Sequence, residues 1–273
     1  MTSMARHLDI HEELPQTAPL PPRAIQWRKA FRLAKELTEK PFTAELSYEL
    51  ILSLDGGATE RMFQDFLAEP GARALIQKRP DLAATLSDLD LLGSMPEGSL
   101  GRTYKEMTER DGYAVNGIIH VMKAVPTFQE VAPDPLRQWF SFRGAVLHDV
   151  AHALTGYGRD LAGEVALGLY LAAVYPPYRS GVVYSFITAL ASVTAPQDQK
   201  LRNLSYLRDV WIRGRRSRIP LSAPWEDLLP LQVEEVCRMY QVPLVRETHA
   251  EGILRDAFEK GPWIPSFKAQ SWA

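Results

Sequence analysis

Apolar residues recur at helical spacing in one segment after another, and an alternating strand pattern persists nowhere in the chain. Proline and glycine separate the segments, as in the turn "SMPEGS" at 94–99. The pattern predicts an all-α fold, a single-domain bundle of many helices over about 25–245. The predicted helices cover 25–39, 43–53, 58–68, 70–78, 98–110, 114–124, 135–155, 161–175, 180–193, 198–213 and 231–241.

The composition narrows the classes of protein that fit. A chain of 273 residues with 46% hydrophobic content can bury a sizeable core, and one cysteine, Cys237, excludes a disulfide framework and a multi-cysteine metal site. A net charge of -2 provides no general attraction to nucleic acid, so no nucleic-acid partner is expected. Residues 1–24 are predicted to be a flexible N-terminal arm, and 246–273 a C-terminal extension.

Location is predicted from the N-terminus and the apolar runs. The run "VALGLYLAAVY" at 165–175 is well short of the roughly 20 residues that cross a bilayer. Asp9, Glu12 and Glu13 argue against an organellar transit peptide. We therefore expect a bacterial cytoplasm rather than a mitochondrion. The helix over 25–39, with Trp27 and Phe31 among basic residues, either packs on the core or lies on an anionic membrane surface.

The segment "HDVAHALTGYGRDLAGE" at 148–164 contains the strongest candidate site. His148 and His152 are four residues apart, so they lie one above the other on a helix and can bind one ion. Asp149 lies about 100° round the helix, where it either ligates directly or orients a ring. After the glycines at 156 and 158, Glu164 falls in the first turn of the next helix.

Small residues surround this segment. Opposite the bulky face of the helix over 135–155, where Arg143 is the one misfit, the histidines share their side with small residues rather than long charged ones. The next helix carries a stripe of small residues that allows a close helix approach, at 162, 163, 166, 168, 172 and 173. Two histidines with carboxylates and no thiolate suit a divalent metal ion, namely zinc, iron(II) or manganese. An HxxxH pair alone is more often structural, and the added carboxylates favour a metal site.

Two further features have ordinary explanations. His120 stands on an otherwise apolar helix and is predicted to be a core histidine. The cluster Arg213, Arg215, Arg216 and Arg218 either binds a phosphate or carboxylate or forms a solvated loop, which is the commoner case.

The motif His148-Asp149-x-x-His152, eleven residues and Glu164 resembles the hallmark of the ubiquinone (coenzyme Q) biosynthesis proteins known as the Coq-four family. The segments "RMFQDFLAEPGARALIQKRPDL", "MPEGSLGRTYKEM" and "DVWIRGRRSRIPLSAPWEDLLPLQVEEVCRMYQV" also resemble that family, so the resemblance covers about 43–245. The loop "TGYGRD" departs from the proline and threonine that members often carry there.

The resemblance implies a helical, metal-binding protein at the inner face of a membrane. Its expected partners are a polyprenylated quinone precursor and other quinone biosynthesis proteins, and its oligomeric state stays open, a homodimer included. Two roles are implied: an enzyme that replaces the ring carboxyl by hydroxyl in an oxidative decarboxylation, or a lipid-binding scaffold for the biosynthetic complex. For the enzyme, we expect His148, His152 and Glu164 to hold the ion, with Asp149 as fourth ligand or base.

A metal-dependent phosphohydrolase is a lesser alternative, prompted by the adjacent His148 and Asp149. Such sites need a further upstream histidine and a distant aspartate, and His120 is a weak candidate for that histidine.

Overall fold

The computed structural model describes residues 17–39, 43–112, 116–158, 161–176 and 197–243. Within these ranges the chain forms fourteen helices and no strand, which confirms the predicted all-α bundle. The helices are α1 (Trp27–Glu39), α2 (Ala44–Ser53), α3 (Ala58–Leu67), α4 (Ala72–Lys78), α5 (Leu82–Ser87), α6 (Leu89–Ser94), α7 (Leu100–Asp111), α8 (Asn116–Ala124), α9 (Pro126–Val131), α10 (Pro135–Thr155), α11 (Leu161–Val174), α12 (Gln197–Arg216), α13 (Trp225–Leu228) and α14 (Val233–Met239). None of these helices is long and apolar enough to cross a membrane.

Four short helices, α5, α6, α9 and α13, were not predicted, because four to six residues are too few to display a helical period. A local signal exists for two of them. The carboxylates of Asp81 and Asp88 cap α5 and α6 by accepting hydrogen bonds from the backbone N–H groups of Ala84 and Leu91, at 3.0 and 2.9 Å. The predicted helix over 180–193 lies outside the described residues.

Helix α10 is the longest helix of the described chain and runs through its core. Asp134 caps it by accepting from two backbone N–H groups, and Pro135 occupies the first turn, where no donor is needed. Gly156 ends the helix in the left-handed conformation, with φ at 77°, and its N–H donates to the carbonyl of His152 at 2.9 Å. Both ends of the helix that carries the histidines are therefore specified locally.

The bulky face of α10 is buried as predicted. Leu136 and Phe140 pack with the aromatic rings of α3, while Val146, Val150 and Leu154 enter the largest hydrophobic cluster, formed with α5, α7, α11 and α14. Arg143, the misfit on this face, is buried in a bidentate pair with Glu226 of α13. Its Nη1 donates to Oε1 at 2.6 Å and its Nη2 to Oε2 at 2.8 Å. A buried guanidinium needs such a partner, since it cannot lose its charge.

The end of the predicted flexible arm is a packed segment. Arg137 of α10 donates to the carbonyl of Ala18 at 2.7 Å, and Gln64 of α3 donates to the carbonyl of Thr17, which is fully buried. The N–H of Leu20 donates to Glu60. Residues 17–20, at the end of the predicted arm, thus make backbone hydrogen bonds with partly buried side chains of α3 and the buried Arg137 of α10. Residues 1–16 and the predicted extension 246–273 lie outside the described residues.

Helix α11 packs closely against α12 through small residues. A Cβ atom at Gly214 of α12 would lie 2.5 Å from the carbonyl oxygen of Tyr170 and 2.7 Å from the Cβ of Ala173. A close helix approach is thus seen between α11 and α12 at Ala173, whereas a Cβ at Gly168 would meet nothing within 4 Å. Helices α11 and α12 therefore lie side by side, and Glu164 lies at the N-terminal end of α11.

Candidate metal centre

His148 and His152 stand one turn apart on the last two turns of α10. Their ring centroids lie 5.0 Å apart and the rings are nearly perpendicular, with an interplanar angle of 81°. His152 is buried, with 1% of its surface exposed, whereas the side chain of His148 is 29% exposed. The pair therefore has one histidine in the core and one at an accessible edge.

Glu164 of α11 completes a group of three. Its Oε2 lies 3.0 Å from Nε2 of His148, and its Oε1 lies 3.3 Å from Nε2 of His152. One ligand atom from each of the three side chains lies within 4.8 Å of the other two. The Glu164 side chain is 34% exposed, so the group opens toward solvent on the side of His148 and Glu164.

The second ring nitrogen of His152 is held by the backbone. Nδ1 lies 3.1 Å from the carbonyl oxygen of Tyr157, which can only accept, so Nδ1–H is the donor. In the neutral imidazole this leaves the lone pair on Nε2, directed toward Glu164. Nε2 is buried and has no well-aligned hydrogen bond within the described part of the chain. A metal-binding histidine is normally oriented in this way, so the three residues fit a divalent ion.

The electrostatics of the group favour an ionised carboxylate. Burial alone would raise the pKa of Glu164, but the imidazoles of His148 and His152, in their protonated form, donate to its carboxylate, outweigh the burial and hold that pKa well below its usual range. Glu164 is therefore an anion at neutral pH, as a metal ligand must be.

Two glycines bring Glu164 to the histidines. Gly156 reverses the chain after α10, as its positive φ requires. Gly163, next to Glu164, lies so close to the loop that a Cβ there would be 1.8 Å from the carbonyl oxygen of Gly158. The first turn of α11 thus rests directly on the loop that follows the histidines.

Asp149 is the one predicted site residue outside this group. It is buried on α10 and is not among the three side chains whose ligand atoms converge. The alternative that Asp149 orients a histidine ring stays a prediction. The structure thus brings three of the four expected ligands close together.

Two other expectations change. His120 is exposed on α8, so the prediction of a core histidine is wrong. In the arginine cluster Arg213 is buried, whereas Arg215, Arg216 and Arg218 are exposed. The contact of the Tyr157 carbonyl with His152 was not predicted, and no sequence signal reveals it, since any residue there has a carbonyl oxygen.

A family model described as "Coenzyme Q (ubiquinone) biosynthesis protein Coq4" matches residues 54–244. The chain belongs to the Coq4 family. The N-terminal helix α1 lies before the matched residues, whereas both helices of the candidate metal centre lie within them.

Curated relatives are named mitochondrial ubiquinone biosynthesis proteins COQ4. The protein of Yarrowia lipolytica is 28% identical over 183 residues, which cover 65% of this chain and 64% of that protein. The protein of Lodderomyces elongisporus is 24% identical over 208 residues, covering 74% of this chain and 52% of that protein. The chain thus spans about half to two thirds of the length of these relatives. These relatives are named as mitochondrial proteins. The expected preference for a bacterial location is therefore not borne out.

A crystal structure supports the fold of this Coq4 family member independently. It is that of a Nostoc punctiforme protein described as a ubiquinone biosynthesis protein, with a TM-score of 0.58 and 17% sequence identity. The match covers 80% of this chain and 97% of that one. At this identity the likeness shows a shared fold.

Proposed function

We propose that this Coq4 family member acts in ubiquinone biosynthesis as a metal-dependent oxidative decarboxylase of a polyprenylated 4-hydroxybenzoate-type intermediate. The observation that supports it is the convergence of His148, His152 and Glu164, with Nε2 of His152 oriented by the carbonyl of Tyr157. In the reaction the ring carboxyl leaves as carbon dioxide, a hydroxyl from water takes its place, and dioxygen accepts the two electrons and two protons to become hydrogen peroxide.

The three residues would hold a divalent ion, with zinc, iron(II) and manganese as the candidates. When bound, such an ion supplies a Lewis acid for a ring carboxylate or phenolate. Each residue has a distinct part in holding it. His152 provides a buried nitrogen that the backbone orients, and His148 and Glu164 form the accessible edge. Glu164 adds the negative charge that offsets part of the charge of the ion.

The partial exposure of the group favours catalysis over a purely structural tie between helices. A structural zinc site is closed by four protein ligands, whereas a catalytic site keeps a position for substrate or water. Here three protein ligands converge, and the side chains of His148 and Glu164 are 29% and 34% exposed. A substrate can therefore reach the group from that side.

The experiment that tests this proposal measures first the metal bound to the protein and then the product of the reaction. Purified protein is analysed for bound metal and supplied with a prenylated 4-hydroxybenzoate in air, and carbon dioxide and the hydroxylated ring are measured. We expect Glu164→Gln and His148→Ala to lose metal and turnover. His120→Ala is the matched control, because His120 is exposed on α8 and lies outside the group. It should retain both.

One combination of results would favour the scaffold role over the enzymatic role. Bound metal without turnover, together with normal quinone production in cells that carry His152→Ala, would exclude catalysis at this group. The protein would then act as a lipid-binding organiser of other quinone biosynthesis proteins.

We also propose that α1 contacts an anionic membrane surface. Its inner face packs on the core through Ala30 and Leu33. On its outer face Trp27 and Phe31 are 55% and 72% exposed. The neighbouring cations Arg28, Arg32 and Lys35 are exposed as well. Exposed aromatic rings among cations are typical of helices that lie in a membrane interface.

Flotation with lipid vesicles tests this contact. The full chain should float with vesicles that contain anionic lipid and much less with zwitterionic ones, and Trp27→Ser with Phe31→Ser should abolish flotation. Met239→Ser is the control, since Met239 is also 55% exposed but lies on α14. Equal flotation of the double variant and the wild type would contradict the contact.

A further inference from the structure

Arg213 of α12 is the largest fully buried side chain of the described residues, with 2% of its surface exposed. Its guanidinium reaches the segment that follows α10. Nη2 donates to the carbonyl oxygen of Thr155, the last residue of α10, at 2.8 Å, and Nε donates to the carbonyl of Pro243. The side chain therefore ties the end of the histidine helix to α12 and to the segment after α14.

The same guanidinium lies against two aromatic rings. Its Cζ is 4.8 Å from the ring centroid of Tyr157 and 5.5 Å from that of Tyr170. Both tyrosines are buried, and their rings meet edge to face at 6.1 Å. A cation over an aromatic face is attracted more strongly when both are removed from water. Arg213 thus restrains the ring of Tyr157 as well as the carbonyl of Thr155.

Tyr157 connects this arginine to the candidate metal centre. Its ring packs against Arg213, and its carbonyl oxygen accepts the hydrogen bond from Nδ1 of His152 at 3.1 Å. A shift of the Thr155–Tyr157 segment would change the acceptor that orients the imidazole. The Nε2 lone pair would then no longer be held toward Glu164.

We infer that Arg213 is a positioning residue of the metal centre. By fixing the Thr155–Tyr157 segment it keeps the tautomer and the ring orientation of His152 that metal binding needs. The inference rests on the proposed metal site, and it adds a residue that is 61 positions further along the chain than His152.

A second buried arginine separates this role from general stabilisation. Arg143 is also buried and lies on α10 itself, but its guanidinium pairs with Glu226 and the carbonyl of Ala223, on the other side of the helix. Arg143→Met should therefore weaken the fold and leave His152 oriented. It is the matched control for Arg213→Met.

The experiment measures Co²⁺ binding to the full chain by visible absorption, without substrate, alongside the melting temperature of the metal-free protein. We expect Arg213→Met to lower Co²⁺ affinity about tenfold or more, the range found when residues that orient ligands are removed, and to alter the absorption bands. Arg213→Lys keeps the charge but loses the forked donors, so its loss should be smaller. Arg143→Met should lower the melting temperature with affinity unchanged.

The inference fails on either of two outcomes. Wild-type affinity and spectrum in Arg213→Met, or an equal loss in Arg143→Met, would overturn it. If Arg213→Met does not fold, Arg213→Lys and Tyr157→Leu decide the question, because Tyr157→Leu keeps the carbonyl and removes the ring that Arg213 restrains. Wild-type protein that binds no Co²⁺ would overturn the metal site itself, whereas binding without decarboxylation would leave this inference standing.

Discussion

Adding a single methyl group at Gly163 should displace the carboxylate of Glu164. The Cβ of an alanine there would lie 1.8 Å from the carbonyl oxygen of Gly158, whereas real Cβ contacts are essentially never shorter than 3.0 Å. The first turn of α11 or the loop must therefore move by about 1.2 Å at least. The three atoms that the new Cβ would meet are all backbone atoms of Gly158, so no flexible side chain can absorb the change.

The size of this movement predicts how much metal affinity and stability the variant loses. Metal–ligand distances are held to about 0.2 Å, so a shift several times larger in the residue beside Glu164 removes one of three ligands from its position. We expect Co²⁺ affinity to fall by at least about tenfold. The strain should also destabilise the fold by about 1–3 kcal/mol, which lowers the melting temperature by several degrees.

Gly168→Ala is the matched control on the same helix. A Cβ at Gly168 meets nothing within 4 Å, so the same chemical change is accommodated there. Alanine favours a helix over glycine by up to about 1 kcal/mol, and the variant should be as stable as the wild type or slightly more so. Its Co²⁺ affinity should be unchanged.

Co²⁺ titration by visible absorption and thermal unfolding of the metal-free protein measure both effects. Wild-type affinity in Gly163→Ala would refute the reasoning that this contact sets the position of Glu164. Equal losses in the two alanine variants would also refute it, because the effect would then come from any change in α11.

Two further predictions concern the free energy of unfolding, the first of them measured with urea. Glu226→Ala leaves the buried guanidinium of Arg143 without its carboxylate and should lower that free energy by about 3–5 kcal/mol. Arg143→Met leaves a carboxylate that is 21% exposed and should lower it by only about 1–3 kcal/mol, so the reverse order would contradict the buried-charge account. Burial raises the pKa of Glu60, but hydrogen bonds from Arg137 and Gln64 outweigh it, so the folded pKa lies below 4.5. A carboxylate whose pKa is lowered by folding stabilises the protein above pH 4.5, and this stability is lost as the pH falls through the folded pKa. The melting temperatures of the wild type and Glu60→Gln should therefore differ most at neutral pH and converge in acid. A difference that stays constant with pH would contradict this prediction.

Much of the candidate centre could be predicted because it is local. His148 and His152 share a face by helical period alone, and Asp134, Pro135 and Gly156 determine where α10 begins and ends. The short helices could not be predicted from periodicity. The burial of Thr17 could not be predicted either, since its partner Gln64 is 47 positions away.

The sequence by itself determined the all-α class, the ends of the histidine helix and the four-residue spacing of its histidines, because these follow from backbone propensities within one or two turns. Only the tertiary structure decided that Asp149 lies outside the converging group, that His120 faces solvent and that Arg213 faces inward. Arg213 reaches Thr155 across 58 positions. Which side of a helix meets such a partner depends on how all the helices pack, and the pattern of one segment does not contain it.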